Sequence, residues 1–307
     1  MTDTSAIIGM LNSDMRDEHA AIVQYLQHAY AIGESGEACE IEAVARDEMR
    51  HFDWLAEAIV KLGGDPAVER GNVDLEGGGP VAWMGRDVAA EERAIAQYQQ
   101  HIEAIDDAGI ERLLRRILSD EQAHRDKFVS LSAELASEGK TAAAPLTARS
   151  GMEIPAHVRD ALQTGVRHEY SVILQYLYHT FVMPECEVSR ELEMQAINEM
   201  QHLGWLAEEV ASGGGHPDIE HLELALEGGT AEMLEADIAA ERAVTSAYTR
   251  QISQIDDTAV RDLLVRIRDH EIYHDELFSE MLAEVKEAEE PRGPGLGFTV
   301  GSLIEED

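Results

Sequence analysis

The segment EHAAIVQYLQH at 18–28 returns as EYSVILQYLYH at 169–179, and DEMRHFDWLAE at 47–57 returns as NEMQHLGWLAE at 198–208, each 151 residues later. Two further segments, DVAAEERAIAQY at 87–98 and DEQAHRDKF at 120–128, return 150 residues later as DIAAERAVTSAY at 237–248 and HEIYHDELF at 270–278. An internal repeat constrains a fold more than any local signal, because both copies must bury their cores in the same way. One residue is lost between the second and third blocks, and otherwise the 307-residue chain is a near-complete duplication. The expected units are 1–136 and 155–288, joined by a linker at 137–154 with the small, Pro- and Gly-punctuated composition of SEGKTAAAPLTARSGMEIP. A tail at 289–307 follows, whose prolines and glycines do not continue a helix.

Each copy predicts four helices. In the first, Leu11, Glu18, Ile22, Tyr25 and Ala29 share one stripe, and Ile41, Val44, Glu48, His51, Leu55, Ala58 and Leu62 share a second. Met84, Val88, Glu91, Ile95, Tyr98, Ile102 and Ile105 form a third, and Ile110, Leu114, Ile117, Glu121, His124, Phe128 and Leu131 a fourth. Steps of three and four are the inward seams of bundle helices. Alternating β-branched runs are absent. Between the second and third helices lies GGDPAVERGNVDLEGGGP at 63–80, matched in the second copy by GGGHPDIEHLELALEGG. That connection is long enough to run back along a whole helix of roughly 40 Å, so the second and third helices need not be antiparallel neighbours.

Every stripe carries charge where it should be apolar. Glu18, Glu48, Glu91 and Glu121 stand on core positions, with His51 and His124 three residues beyond the second and fourth of them. The second copy repeats the set as Glu169, Glu199, His202, Glu241, Glu271 and His274. Four carboxylates converging in one bundle lose hydration and repel, at several kcal/mol per ion, unless a cation compensates. One Glu and one Glu-x-x-His from each half of a bundle is the inventory of a dinuclear carboxylate site, and an oxygen and imidazole shell without thiolate suits iron or manganese. The competing explanation, a solvated face, requires the core phase to be misread on four helices in both copies. Glu92 neighbours Glu91, but Arg242 stands at its position in the second copy, which makes Glu92 a surface residue.

Both copies resemble bacterioferritin, a di-iron member of the ferritin-like superfamily. The resemblance lies in Glu18…Gln24-Tyr25…His28, Asp47-Glu48-Met49-Arg50-His51, Leu62-Gly63-Gly64-Asp65-Pro66 and Asp120-Glu121-Gln122-Ala123-His124. It implies an all-α chain of two tandem ferritin-like four-helix bundles with long crossover loops. It also implies a ferroxidase that turns Fe(II) to Fe(III) with O2 or H2O2, two irons per repeat and four per chain. Glu48 and Glu121 would bridge the two irons, with Glu18 and His51, and Glu91 and His124, as terminal ligands. Tyr25 and Tyr176 are then either hydrogen-bonding partners of the ligands or core aromatics. Two alternatives stand beside this reading: a rubrerythrin-like peroxide-scavenging oxidase and a non-catalytic metal-binding protein. A rubrerythrin would place another glutamate three residues after Glu91, where this chain has Ala94 and Val244, and would carry a four-cysteine iron domain.

Bacterioferritins carry a fifth short helix that helps close a storage shell, and neither copy has an obvious one. The ending GLGFTVGSLIEED resembles the cargo-loading peptides that direct proteins into encapsulin shells, with Leu296, Phe298, Val300, Leu303 and Ile304 as apolar anchors on a glycine tether. The expected partner is thus an encapsulin shell protein engaging residues 295–305; a frayed terminus is the other reading. Met49 and Met200 follow the bridging glutamates and point about 100° away from their own cores. With Ala45, Phe52 and Ala56, and with Ala196, Leu203 and Ala207, they form a second apolar face in each copy that should pack on another bundle, giving an internal pseudo-dimer. They are either interface gap-fillers or, by the resemblance, axial ligands of a haem b.

With 61 acidic against 24 basic residues the formal charge is -37, which repels nucleic acid and anionic membranes and leaves cations as partners. The same acidity also suits a surface kept soluble in high salt. No apolar run is long enough to span a membrane and no secretory signal is visible, so the expected location is cytoplasmic, inside an encapsulin compartment. Cys39 and Cys186 do not match between copies and are expected as two unpaired, buried thiols.

Overall fold

The computed structural model describes residues 2–33, 35–141, 154–184 and 186–289. Its helices are α1 (Thr4–Ile32), α2 (Gly36–Lys61), α3 (Pro80–Ala104), α4 (Ala108–Ser137), α5 (Ala156–Val182), α6 (Glu187–Ser212), α7 (Thr230–Ile252) and α8 (Thr258–Glu289). No strand occurs among the described residues. Helices pair as α1 with α2 and α3 with α4, and these pairs close into a bundle through α1 against α3 and α2 against α4. α5 to α8 repeat the arrangement. None of the helices is long and apolar enough to cross a membrane among the described residues. The segment 295–305, to which shell docking was assigned, lies outside the described residues, as does the linker from 142 to 153.

Local chemistry sets the helix ends. Ser35 Oγ accepts from Ala38 N (3.1 Å) at the start of α2. Asp107 Oδ1 accepts from Gly109 N (2.8 Å) and Ile110 N (3.0 Å), and Asp257 Oδ1 from Ala259 N (2.9 Å) and Val260 N (3.1 Å), so α4 and α8 begin on the same cap. α2 and α6 end alike. Gly63 and Gly214 adopt φ of 80° and 79°, a left-handed conformation that favours glycine. The crossover loops then run along α1 and α5, held by side chains of those helices. Asn12 clasps Asp65 O (3.0 Å) and Ala67 N (2.7 Å), and Gln24 Oε1 takes Asp74 N (2.9 Å). Gln163 and Gln175 do the same for His216 O (2.6 Å), Asp218 N (2.9 Å) and Ala225 N (2.8 Å).

The seams are buried as their spacing predicts, with Leu11, Ile41, Leu55, Met84, Leu114, Ile117 and Phe128 fully enclosed. On α3, Val88, Ile95 and Ile102 are half-buried. Glu92 is exposed. The two bundles meet reciprocally, α1 against α6 and α2 against α5, as a pseudo-two-fold requires. Part of the second apolar faces lies here: Phe52 packs on Phe181 with ring centroids 6.0 Å apart, and Leu203 joins Val23 in one cluster, whereas Ala45 and Ala196 pack within their own bundles. The thiols depart from expectation: Cys39 is exposed and Cys186 half-buried. Cys39 stands two residues before the core Ile41, hence about 200° around the helix from the seam.

Candidate metal centres

The four helices of the first bundle bring Glu18, Glu48, Glu91, Glu121, His51 and His124 to one buried level, none more than 5% exposed. One ligand atom from each of Glu18, Glu48, His51 and Glu121 lies within 4.8 Å of the others, and so do atoms from Glu48, Glu91, Glu121 and His124. The two groups share Glu48 and Glu121, so two cation positions would have two carboxylates in common. In the second bundle the groups are Glu169, Glu199, His202, Glu271 and Glu199, Glu241, Glu271, His274, sharing Glu199 and Glu271.

Both histidines of each bundle turn Nδ1 to the cluster. His51 Nδ1 lies 2.8 Å from Glu48 Oε2 and 2.9 Å from Glu121 Oε1, and His124 Nδ1 lies 2.9 Å from Glu48 Oε1. His202 Nδ1 is 2.6 Å from Glu199 Oε2 and 3.1 Å from Glu271 Oε1, while His274 Nδ1 is 2.6 Å from Glu199 Oε1 and 3.2 Å from Glu271 Oε2. Despite these short approaches, several atoms lack a hydrogen bond of good geometry: Glu48 Oε1, Glu91 Oε2, Glu121 Oε1, Glu199 Oε1, both oxygens of Glu271, and Nδ1 of His124 and His274. A buried acceptor without a donor costs about 1–3 kcal/mol. One cation per group satisfies these atoms together, so the donors fit a divalent metal.

Without a cation the cluster balances its charge with protons. Burial pushes the carboxyls of Glu18, Glu91 and Glu121 well above the usual range, and repulsion from Glu48 adds to it. Burial acts upward on Glu48 too, but the imidazoles of His124 and His51 outweigh it and hold Glu48 low. In the second bundle burial, then Glu271, lifts Glu241 to about 8, and burial, then Glu199, lifts Glu271 to about 7. Burial opposes the charged form of His202, yet its three glutamates raise it to about 12.

Four tyrosines hold the outer carboxylates. Tyr25 donates to Glu91 Oε1 (2.6 Å), and Tyr98 returns the bond from α3 to Glu18 on α1. Tyr176 and Tyr248 do likewise for Glu241 and Glu169. Tyr25 and Tyr176 are therefore hydrogen-bonding partners as well as core aromatics. Tyr98 and Tyr248 were visible only as core positions, although each follows its glutamate by seven residues, as Tyr25 follows Glu18. Beyond the cluster, His51 Nε2 faces Asp120 Oδ2 and His124 Nε2 faces Asp47 Oδ2, both at 3.4 Å. In the second bundle His202 Nε2 faces His270 Nδ1 at 2.9 Å. Sequence reasoning missed this outer ring; its signal was the Asp-Glu dipeptides at Asp47 and Asp120. A further buried group, Asp87 with Gln24 (2.8 Å) and His28 (2.8 Å), recurs as Asp237 with Gln175 (2.8 Å) and His179 (3.0 Å).

Met49 and Met200 stand apart from the clusters. Both line a cavity of about 370 Å³ between the bundles, walled by apolar side chains such as Leu26, Phe52, Leu174 and Leu203, with Arg46 and Arg50 also lining it.

Comparison with known proteins agrees with this architecture. The ferritin-like domain matches twice, at residues 8–137 and 159–288. The bacterioferritin of Desulfovibrio desulfuricans is 30% identical over 141 residues, 44% of this chain and 79% of that protein. The bacterioferritin of Rhodobacter capsulatus is 26% identical over 134 residues, 41% of this chain and 82% of its own. Among solved structures, the D. desulfuricans bacterioferritin, described with a diiron site in different catalytic states, is 26% identical with a TM-score of 0.42, covering 50% of this chain and 94% of that one. A Mycobacterium tuberculosis bacterioferritin is 22% identical with a TM-score of 0.43, covering 44% and 90%. The chain belongs to the ferritin-like domain family, carrying that domain twice in tandem.

Proposed function

We propose that the chain is a ferroxidase with one di-iron centre in each repeat, serving iron storage or detoxification. The observation that carries the reading is the pair of overlapping four-ligand groups in each bundle, joined by two shared glutamates. Fe(II) is the substrate. Two Fe(II) give up one electron each, and O2 takes two electrons and two protons to become hydrogen peroxide; with hydrogen peroxide as oxidant the products are two waters. The donor set also accepts manganese.

The protein's own groups bind, orient and balance charge. Glu48 and Glu121 span both cation positions, and Glu199 and Glu271 do so in the second repeat. Nδ1 of each histidine caps one position. Tyr25 and Tyr98 fix the terminal carboxylates while leaving their second oxygens to the cation, and Glu91 Oε2 is one such free oxygen. Carboxyls that burial keeps protonated release those protons as cations enter.

Stopped-flow absorbance after Fe(II) is added to metal-stripped protein under O2 tests the reading. An Fe(III) signal saturating near four irons per chain is expected from two positions in each of two bundles, and its loss is expected in Glu48→Ala combined with Glu199→Ala. No signal, or one unchanged by the double variant, overturns it. Peroxide turnover without accumulating Fe(III) points to a peroxide-scavenging oxidase, and tight metal binding without oxidation to an inert metal carrier.

Two extensions belong to the same proposal. A haem b between Met49 and Met200 is supported by their sharing one apolar cavity, whose volume of about 370 Å³ falls within the range of cofactor pockets; the haem would supply an electron path, and its Soret band in haem-loaded protein is the check. Docking of residues 295–305 to an encapsulin shell rests on their sequence. Deleting 292–307 should abolish co-purification with the shell protein.

A further inference from the structure

We propose that the two centres are unequal: the first repeat binds divalent cations more tightly than the second, so the chain fills in that order. This rests on the reading of both clusters as divalent-cation sites.

The ligand sets are the same, and the difference lies one layer out. A metal-bound imidazole is strengthened when its other ring nitrogen donates to a carboxylate, and replacing such partners typically costs 10–100-fold in affinity. In the first repeat both histidines have one. Asp120 of α4 lies behind His51 of α2, and Asp47 of α2 behind His124 of α4, at 3.4 Å each. Arg116 and Arg50 pair with these aspartates from the exposed side, where the attraction is screened by solvent. In the second repeat neither carboxylate remains. His270 offers His202 a ring nitrogen instead. Asn198, at the position of Asp47, gives its amide to Gln195 Oε1 (2.7 Å). Arg266 persists, stacked 4.1 Å over Trp205, with no aspartate at position 270 to answer it.

Access runs the same way. A cavity of about 470 Å³ between α1, α3 and the first crossover loop is lined by Asp14, Asp17 and Asp74 and also by Glu18 and Glu121. Glu121 is 2% exposed and belongs to both four-ligand groups of this bundle, so the cavity ends on a candidate cation ligand. Arg93 is the one cationic side chain among the lining residues. The positions equivalent to the three aspartates are Gly165, His168 and Ala225. A carboxylate-lined cleft concentrates cations at its inner end, and these three carboxylates are missing from the second repeat.

Calorimetric titration of the metal-stripped full chain with Zn(II), which has no redox chemistry, reads the affinities directly. Two phases of about two ions each are expected, separated by about 10–100-fold. Glu48→Ala should remove the tighter phase and Glu199→Ala the weaker. Asp47→Asn with Asp120→His should close the gap by weakening the first centre, and Asn198→Asp with His270→Asp by tightening the second. A single phase of four ions in the wild-type chain overturns the inference while leaving metal binding intact, as do two phases that neither swap moves or that Glu48→Ala and Glu199→Ala remove in the opposite order. Absence of Zn(II) binding overturns this inference together with the reading beneath it.

Discussion

At the clusters and their buried hydrogen-bond partners the duplication has been kept; between the bundles it has been broken. Each interior carries the same six candidate ligands, the same two tyrosines and the same buried aspartate with its glutamine and histidine. At the seam, equivalent positions meet and differ. His19 and Tyr170, 151 residues apart, touch each other, with the phenol 2.5 Å from His19 Nε2. Gln27 donates to Pro217 O (2.5 Å), whereas its counterpart Tyr178 donates to Asp65 Oδ1 (2.7 Å). Arg70 reaches across to Ile219 O (2.7 Å), and its counterpart His221 bonds Leu222 O (2.7 Å) in its own loop. A two-fold homodimer must place a residue on the axis against itself. Joining the copies in one chain removes that restriction, so a donor can face an acceptor at the axis. The interiors have no such freedom, because each cluster must be complete by itself.

The strongest way to break the comparison is to remove a shared ligand from one bundle alone. If each interior is self-sufficient, Glu48→Ala halves the bound iron from about four per chain to about two, and Glu199→Ala does the same. Metal analysis of the loaded variants decides it; loss of all four ions from one substitution would mean that the bundles act as a single unit. A smaller effect sharpens the likeness. Tyr98→Phe and Tyr248→Phe each delete a buried donor to a carboxylate. Each should lower unfolding stability by about 0.5–3 kcal/mol in denaturant titrations.

What could be read in the sequence follows the same division. The clustered glutamates and histidines were legible because a charged residue on an apolar seam contradicts its surroundings, and eight helices repeated the contradiction. The tyrosines were half legible: Tyr98 has the periodicity of a core residue, and only the fold reveals that its hydroxyl crosses from α3 to α1. Asp47 and Asp120 were hidden by lying one residue before a ligand, where helical phase turns them outward. The partners across the seam were not legible at all, since nothing local says that His19 will meet Tyr170. Only the existence of that seam could be inferred, from the apolar face around Met49 and Phe52.

The finest distinction is in pH dependence, where interior and seam should have opposite signs. In metal-stripped protein Glu271 and Glu241 keep their protons up to about 7 and about 8, above an ordinary value of 4.5. The folded state then holds more protons than the unfolded one across that window, so their contribution to stability falls as pH rises from about 4.5 to 8. At the seam, burial and then Arg70 push His19 down to about 3 from 6.5. Here the unfolded state holds the extra proton, so stability is full above 6.5 and is lost as pH falls toward 3, by at most about 1.4 kcal/mol per unit. Urea titrations of the metal-stripped chain and of His19→Gln between pH 4 and 6.5 isolate the seam. The variant should lose less stability on acidification than the wild type, and parallel curves would show that His19 is not held neutral between the bundles.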